Sequence, residues 1–107
     1  MTLNDLRVEL RANNIRETSC LILPATPIEG TLCLLKVDGG RWRVVFIDRG
    51  DFTIDETFQS EHEACRFFLK KALFDPVTRK DFKQADLYTW ETKRRELAAK
   101  YGFEENE

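Results

Sequence analysis

Apolar and polar positions alternate most clearly in the middle of the chain. Residues 31–37 are largely apolar, Asp38, Gly39, Gly40 and Arg41 are turn-forming, and residues 42–47 are largely apolar again. A Gly-Gly pair accepts the positive φ values of a two-residue hairpin turn. A turn centred on Gly39 and Gly40 sets Val37 opposite Trp42, Leu35 opposite Val44 and Cys33 opposite Phe46, all on one face. Leu32, Leu34, Val45 and Ile47 then share the other face with Lys36 and Arg43. That face needs a cover from the N-terminal segment, the C-terminal helix or a partner.

A second turn at Asp48, Arg49, Gly50 and Asp51 leads into residues 52–58. There Phe52, Ile54 and Phe58 alternate with Thr53, Asp55 and Thr57, which predicts a strand with one buried and one wet side. Ser60 followed by Glu63 is a capping box. The helix it opens carries Ala64, Cys65, Phe68, Leu69 and Ala72 at helical spacing, with Phe67 and Leu73 broadening the stripe. Pro76 closes it. Residues 31–74 thus form a predicted β-β-β-α unit.

The flanks are helical in pattern. Thr2 with Asp5 caps a short helix whose apolar side is Leu3, Leu6 and Leu10, with Val8 as a further candidate, and Asn13 and Asn14 suit its end. Residues 20–23 are a short β-compatible run, made irregular afterwards by Pro24 and Pro27. Thr78 with Asp81 signals another cap, and residues 79–101 read as one helix, or as two broken near residues 85–89. Leu87, Trp90, Leu97, Ala98 and Tyr101 form its stripe, and Trp90 suits either the core or a contact surface. Residues 104–107 read as a frayed acidic tail. The expected fold is α+β in a single domain over residues 1–107. It has an antiparallel sheet of three to four strands, the capped helix on one face and the N- and C-terminal helices around it. Leu35, Val44, Phe46, Ile54, Phe58, Phe68 and Leu69 are its expected core.

Composition narrows the function classes. The 107 residues are 42% hydrophobic and 34% charged, a globular balance, and the net charge is −2. That balance does not favour a nucleic-acid binder, which needs a basic face. Lys93, Arg94, Arg95 and Lys100 are the residues such a role would use; with Glu91 and Glu96 they read as a solvated helix face. Cys20, Cys33 and Cys65 are odd in number and lack metal-knuckle spacing, so they read as buried, reduced thiols. The start of the chain has no signal-peptide core, and no apolar run is long enough to span a membrane. The expected location is the cytoplasm.

No pattern of catalysis, metal binding or cofactor binding emerges. The one histidine, His62, lies in a first helical turn between Glu61 and Glu63 with no local nucleophile. The five glycines are scattered through turns. Arg49-Gly50-Asp51 spells an integrin-binding tripeptide but reads as a turn. The expectation is a protein that is not an enzyme and needs no cofactor. What stands out is acidity. Asp48, Asp51, Asp55, Glu56, Glu61 and Glu63 fall within sixteen residues that hold one basic residue, Arg49. Such a patch either solubilises the surface or steers basic partners.

Trp42-Arg43-Val44-Val45-Phe46, then Asp48-Arg49-Gly50, then Phe58, Ser60-Glu61-His62-Glu63-Ala64-Cys65-Arg66-Phe67-Phe68-Leu69 and Asp75-Pro76, together resemble the small immunity proteins of bacterial polymorphic toxin systems. The resemblance spans residues 32–76, under half the chain, and rests mostly on turn and core positions. It implies a monomeric cytosolic inhibitor that occludes the active site of a cognate toxin domain in a 1:1 complex. By association it leans to an NAD(P) glycohydrolase toxin, otherwise to a nuclease. Asp48, Asp51, Asp55, Glu56 and Glu61 are then the expected toxin-binding residues. The competing reading is a cytosolic chaperone or adaptor for a secreted effector, which binds an extended client instead of a folded one.

Overall fold

The structure, a computed structural model, describes residues 1–103. Its elements follow in the order α1 (Leu3–Ala12), β1 (Cys20–Ile22), β2 (Leu32–Val37), β3 (Arg41–Asp48), β4 (Asp51–Phe58), α2 (Glu61–Phe74) and α3 (Trp90–Tyr101). The four strands make one sheet in the order β1-β2-β3-β4. The fold is α+β, as the pattern predicts, but the sheet is mixed. β2, β3 and β4 are antiparallel neighbours, whereas β1 pairs parallel to β2, with Cys20 beside Leu32 and Ile22 beside Leu34. Parallel pairing was not legible because it depends on the route of residues 23–31, which carry no periodic signal. Leu23, directly after β1, takes a positive φ of 54°.

The hairpin register differs from the expected one by a single residue. Asp38–Gly40 form a 3₁₀ turn with Gly39 at φ 80° and Gly40 at φ 74°, so the loop holds three residues. Val37 consequently faces Arg41, Lys36 faces Trp42, Leu34 faces Val44 and Leu32 faces Phe46. Because the strand period is two, a one-residue slip exchanges the faces of β2. Leu32 and Leu34 join Trp42, Val44 and Phe46 towards the helices. Leu35, expected in the core, is half-buried on the other side with Arg43. Lys36 stays in register with Trp42 by laying its ammonium 5.1 Å from the indole centroid.

A bulge between β3 and β4 corrects a second expectation. Phe46 pairs with Ile54 and Ile47 with Phe52, leaving Thr53 as the extra residue. Ile54 and Phe58 therefore pack on the core, while Phe52 is turned away and lies half-exposed beneath the Arg43 guanidinium, 5.3 Å away.

α2 is the centre of the core. Ser60 accepts a hydrogen bond from the Glu63 amide at 3.2 Å, and the Glu63 carboxylate returns to the Ser60 hydroxyl at 3.3 Å instead of its amide. Its stripe of Ala64, Cys65, Phe68, Leu69, Ala72 and Leu73 is fully buried against Leu34 and Val44 of the sheet and Leu6 of α1. Burial of each large side chain contributes about 1.5–3 kcal/mol. α1 carries the full Thr2–Asp5 capping box and is capped at its C-terminal end by Asn13, after which Asn14 takes the left-handed conformation at φ 59°.

The C-terminal half of the pattern is broken more than expected. Thr78 does not cap a helix; its hydroxyl donates to the carbonyls of Ala72 and Asp75, both at 2.8 Å. Asp75 caps a 3₁₀ turn at Pro76–Thr78, a second 3₁₀ turn spans Gln84–Tyr88, and regular helix begins only at Trp90. Trp90 is anchored by an indole hydrogen bond to the Phe74 carbonyl at 2.9 Å. Gly102, at φ 72°, ends α3. The acidic tail lies outside the described residues.

Cys33 and Val45 are fully buried yet point away from the helices. α1 and α3 both pack against α2, so neither terminal helix covers them. The short return from β1 to β2 must cross one face of that pair, and the helices hold the other. Among the described residues, 23–30 are the segment left to serve as cover. Leu23 is tied to the Leu34 carbonyl at 2.8 Å and Gly30 to that of Ile47 at 2.8 Å.

Candidate protein-binding edge

β4 is the eight-residue edge of the sheet, paired on its β3 side only. Among the described residues no strand pairs with its opposite row of backbone N–H and C=O groups, which makes it a template for an added strand. The far edge, β1, has three residues. Of the two edges, β4 is therefore the one long enough to direct a partner by its main chain.

The acidic residues do not act as one patch. Asp48 and Asp51 face each other across the tight β3–β4 turn, where Arg49 has φ 53° and Gly50 φ 86°. Both carboxylates are exposed. Glu29 joins them, because its carboxylate accepts the Gly50 amide at 3.0 Å. No local signal near Glu29 announces this; it follows from Gly30 docking on Ile47. Glu56, exposed, stands on the helix side of the open edge, opposite Val44.

Asp55 lies on the other face and is neutralised. Arg43 grips it with two hydrogen bonds of 2.7 and 2.8 Å. That hydrogen-bonded pairing holds the Asp55 carboxyl below its ordinary value and raises the Arg43 guanidinium. Arg43 lies outside the acidic stretch in sequence and beside it in space. Glu61 has a structural partner too: its carboxylate accepts the Leu3 amide at 2.8 Å and so supplies the start of α1. His62 is exposed and hydrogen-bonds the amino group of Met1 through Nδ1. Among the described residues the acidic side chains here without a hydrogen-bond partner are thus Asp48 and Asp51 at the tip and Glu56 along the edge, with Glu29 held beside the tip by the Gly50 amide.

Burial pushes the Cys20 thiol up to about 12, with Asp75 and Cys33 adding to it, and the Cys65 thiol up to about 11, with Glu61 adding. All three cysteines are free and buried. Among the described residues no group of three or more His, Cys, Asp or Glu side chains is arranged to hold a metal ion. No helix of the described residues is long and apolar enough to cross a membrane. Comparison with protein-family models, with curated proteins and with solved structures finds no match to this chain.

Proposed function

We propose that the chain is a protein-binding module that docks a cationic partner along β4, and that this partner is a toxin domain neutralised by occlusion. The observation that carries the binding role is the combination of an open strand edge with free carboxylates at its tip and along its length. Main-chain pairing on such an edge supplies affinity, and alternate side chains supply selection. Acidic side chains also repel a second copy of the same edge, so the edge discriminates between partners by charge. The toxin as partner follows from the resemblance of residues 32–76 to immunity proteins. A toxin that binds NAD(P) or RNA presents cationic groups to phosphates, which an acidic strand can occupy in their place.

The test is co-expression with the product of the adjoining reading frame, first assayed alone for toxicity to the cell. The wild-type chain protects the cell and co-purifies with the folded domain in a 1:1 complex. The D51K/E56K variant loses protection while remaining folded. Full protection by that variant, with unchanged salt dependence, contradicts docking along β4. Capture of an extended effector segment in place of a folded domain moves the assignment to a chaperone.

A further inference from the structure

The opposite side of the molecule holds a cleft of different character. It lies between α1 and β1, measures about 200 Å³, and is floored by Leu10, Ile15 and Ile22. Leu10 and Ile15 belong to the buried core, so the floor is firm and apolar. The rim carries Arg7, Arg11 and Arg16. Arg7 and Arg11 are one helical turn apart on α1 and project from the same side. Arg16 is presented by a fixed backbone: its amide donates to the Thr78 carbonyl at 2.7 Å, and Ile15 bridges to Arg79.

None of these three guanidiniums makes an ion pair or a side-chain hydrogen bond among the described residues. Glu17 is the one carboxylate of the lining, against three arginines, in a chain whose net charge is −2. The Cys20 thiol at the floor is held neutral by its burial and adds no negative charge. The sheet is therefore polarised, with free arginines along its β1 side and free carboxylates along its β4 side. Arginine is weakly hydrated and offers a planar fork that matches carboxylate or phosphate oxygens. An apolar floor beneath unpaired forks is complementary to a molecule with one charged end. The volume lies below the range of about 300–1,000 Å³ of drug-sized sites.

We infer that the α1–β1 cleft binds a small amphipathic anion, its carboxylate or phosphate head on Arg7, Arg11 and Arg16 and a short aliphatic chain over Leu10, Ile15 and Ile22. This site is separate from the β4 edge and does not rest on the toxin-binding reading.

The test is an amide chemical-shift titration of the whole chain with octanoate and with n-octyl phosphate. Acetate, inorganic phosphate and 1-octanol serve as head-only and chain-only controls. Saturable shifts at Leu10, Ile15, Leu21 and Ile22, with a Kd below about 1 mM, are expected for one or both amphipathic anions. Which of the two binds more tightly separates a carboxylate from a phosphate ligand. The controls bind at least about tenfold more weakly. Arg11 and Arg16 are exposed, so R11Q/R16Q keeps the fold and weakens binding about tenfold. Three results overturn the inference: no saturable shift at the cleft, equal affinity for octanol and octanoate, or an unchanged Kd in the double variant.

Discussion

Leu34 and Leu35 are adjacent leucines whose replacement by alanine separates the two hairpin registers. In the three-residue loop Leu34 points at the helices, is fully buried and lies opposite Val44. Leu35 points the other way and is half-buried opposite Arg43. Truncating a fully buried leucine to alanine removes its transfer free energy and leaves a cavity, about 2.7–5 kcal/mol together. A half-buried leucine loses part of the transfer energy and opens no closed cavity, so L35A costs about 1 kcal/mol. For a chain near 100 residues, 1 kcal/mol moves Tm by about 4–8 °C. L34A is therefore expected to lower Tm by at least about 10 °C and L35A by less than about 8 °C. The assay is thermal and urea unfolding followed by circular dichroism, with the urea slope compared between variants to verify a common unfolded state. A two-residue turn centred on Gly39 and Gly40 reverses the ranking. L35A as costly as L34A, or costlier, refutes the register.

Three further outcomes follow from the same structure. Asp5 and Asp55 both have carboxyls held below the ordinary value of 3.8, by hydrogen bonds from Thr2 and Arg43 respectively. A lowered carboxyl pKa contributes stability that is present above 3.8 and lost as pH falls through the folded-state value. D55N should thus flatten the loss of stability below about pH 4 and leave its shape above pH 5 unchanged, which acid titration of Tm reads. With Cys20 and Cys65 raised to about 12 and about 11 and all three thiols buried, native protein at pH 8 should react with a disulfide reagent only as fast as it unfolds. Prompt reaction of one thiol contradicts the burial. W90F deletes the indole donor to Phe74 and should cost about 1 kcal/mol by urea unfolding.

The parts of the fold that were legible are those whose determinants are local. The Thr2 and Ser60 caps, the left-handed Asn14 and the apolar stripe of α2 each arise within a few residues. What was not legible depends on contacts distant in sequence or on a single extra residue. Asp38 joined the glycine turn and shifted β2 by one position; Thr53 bulged and turned Phe52 off the core. Both events act through the period of two, so a small local difference exchanges whole faces. The parallel placement of β1 depends on how residues 23–31 cross the sheet, for which the sequence has no periodic marker. The site follows the same rule. Acidity around residues 48–63 was visible, but a neighbouring strand brings Arg43 to Asp55, the start of α1 takes Glu61, and a distant connection adds Glu29. The arginine-rimmed cleft was invisible because Arg7, Arg11 and Arg16 converge only when α1 lies beside β1.

The most direct test of the β4 assignment is amide hydrogen exchange of the isotopically labelled chain, free and bound to the toxin domain proposed as its partner. The free chain is expected to exchange the outward amides of Asp51–Phe58 rapidly, because among the described residues that row has no strand beside it. Docking along the edge slows those amides and leaves the arginine-rimmed cleft unchanged. Protection that appears elsewhere, with β4 exchanging as before, contradicts the account and moves the interface off the acidic edge.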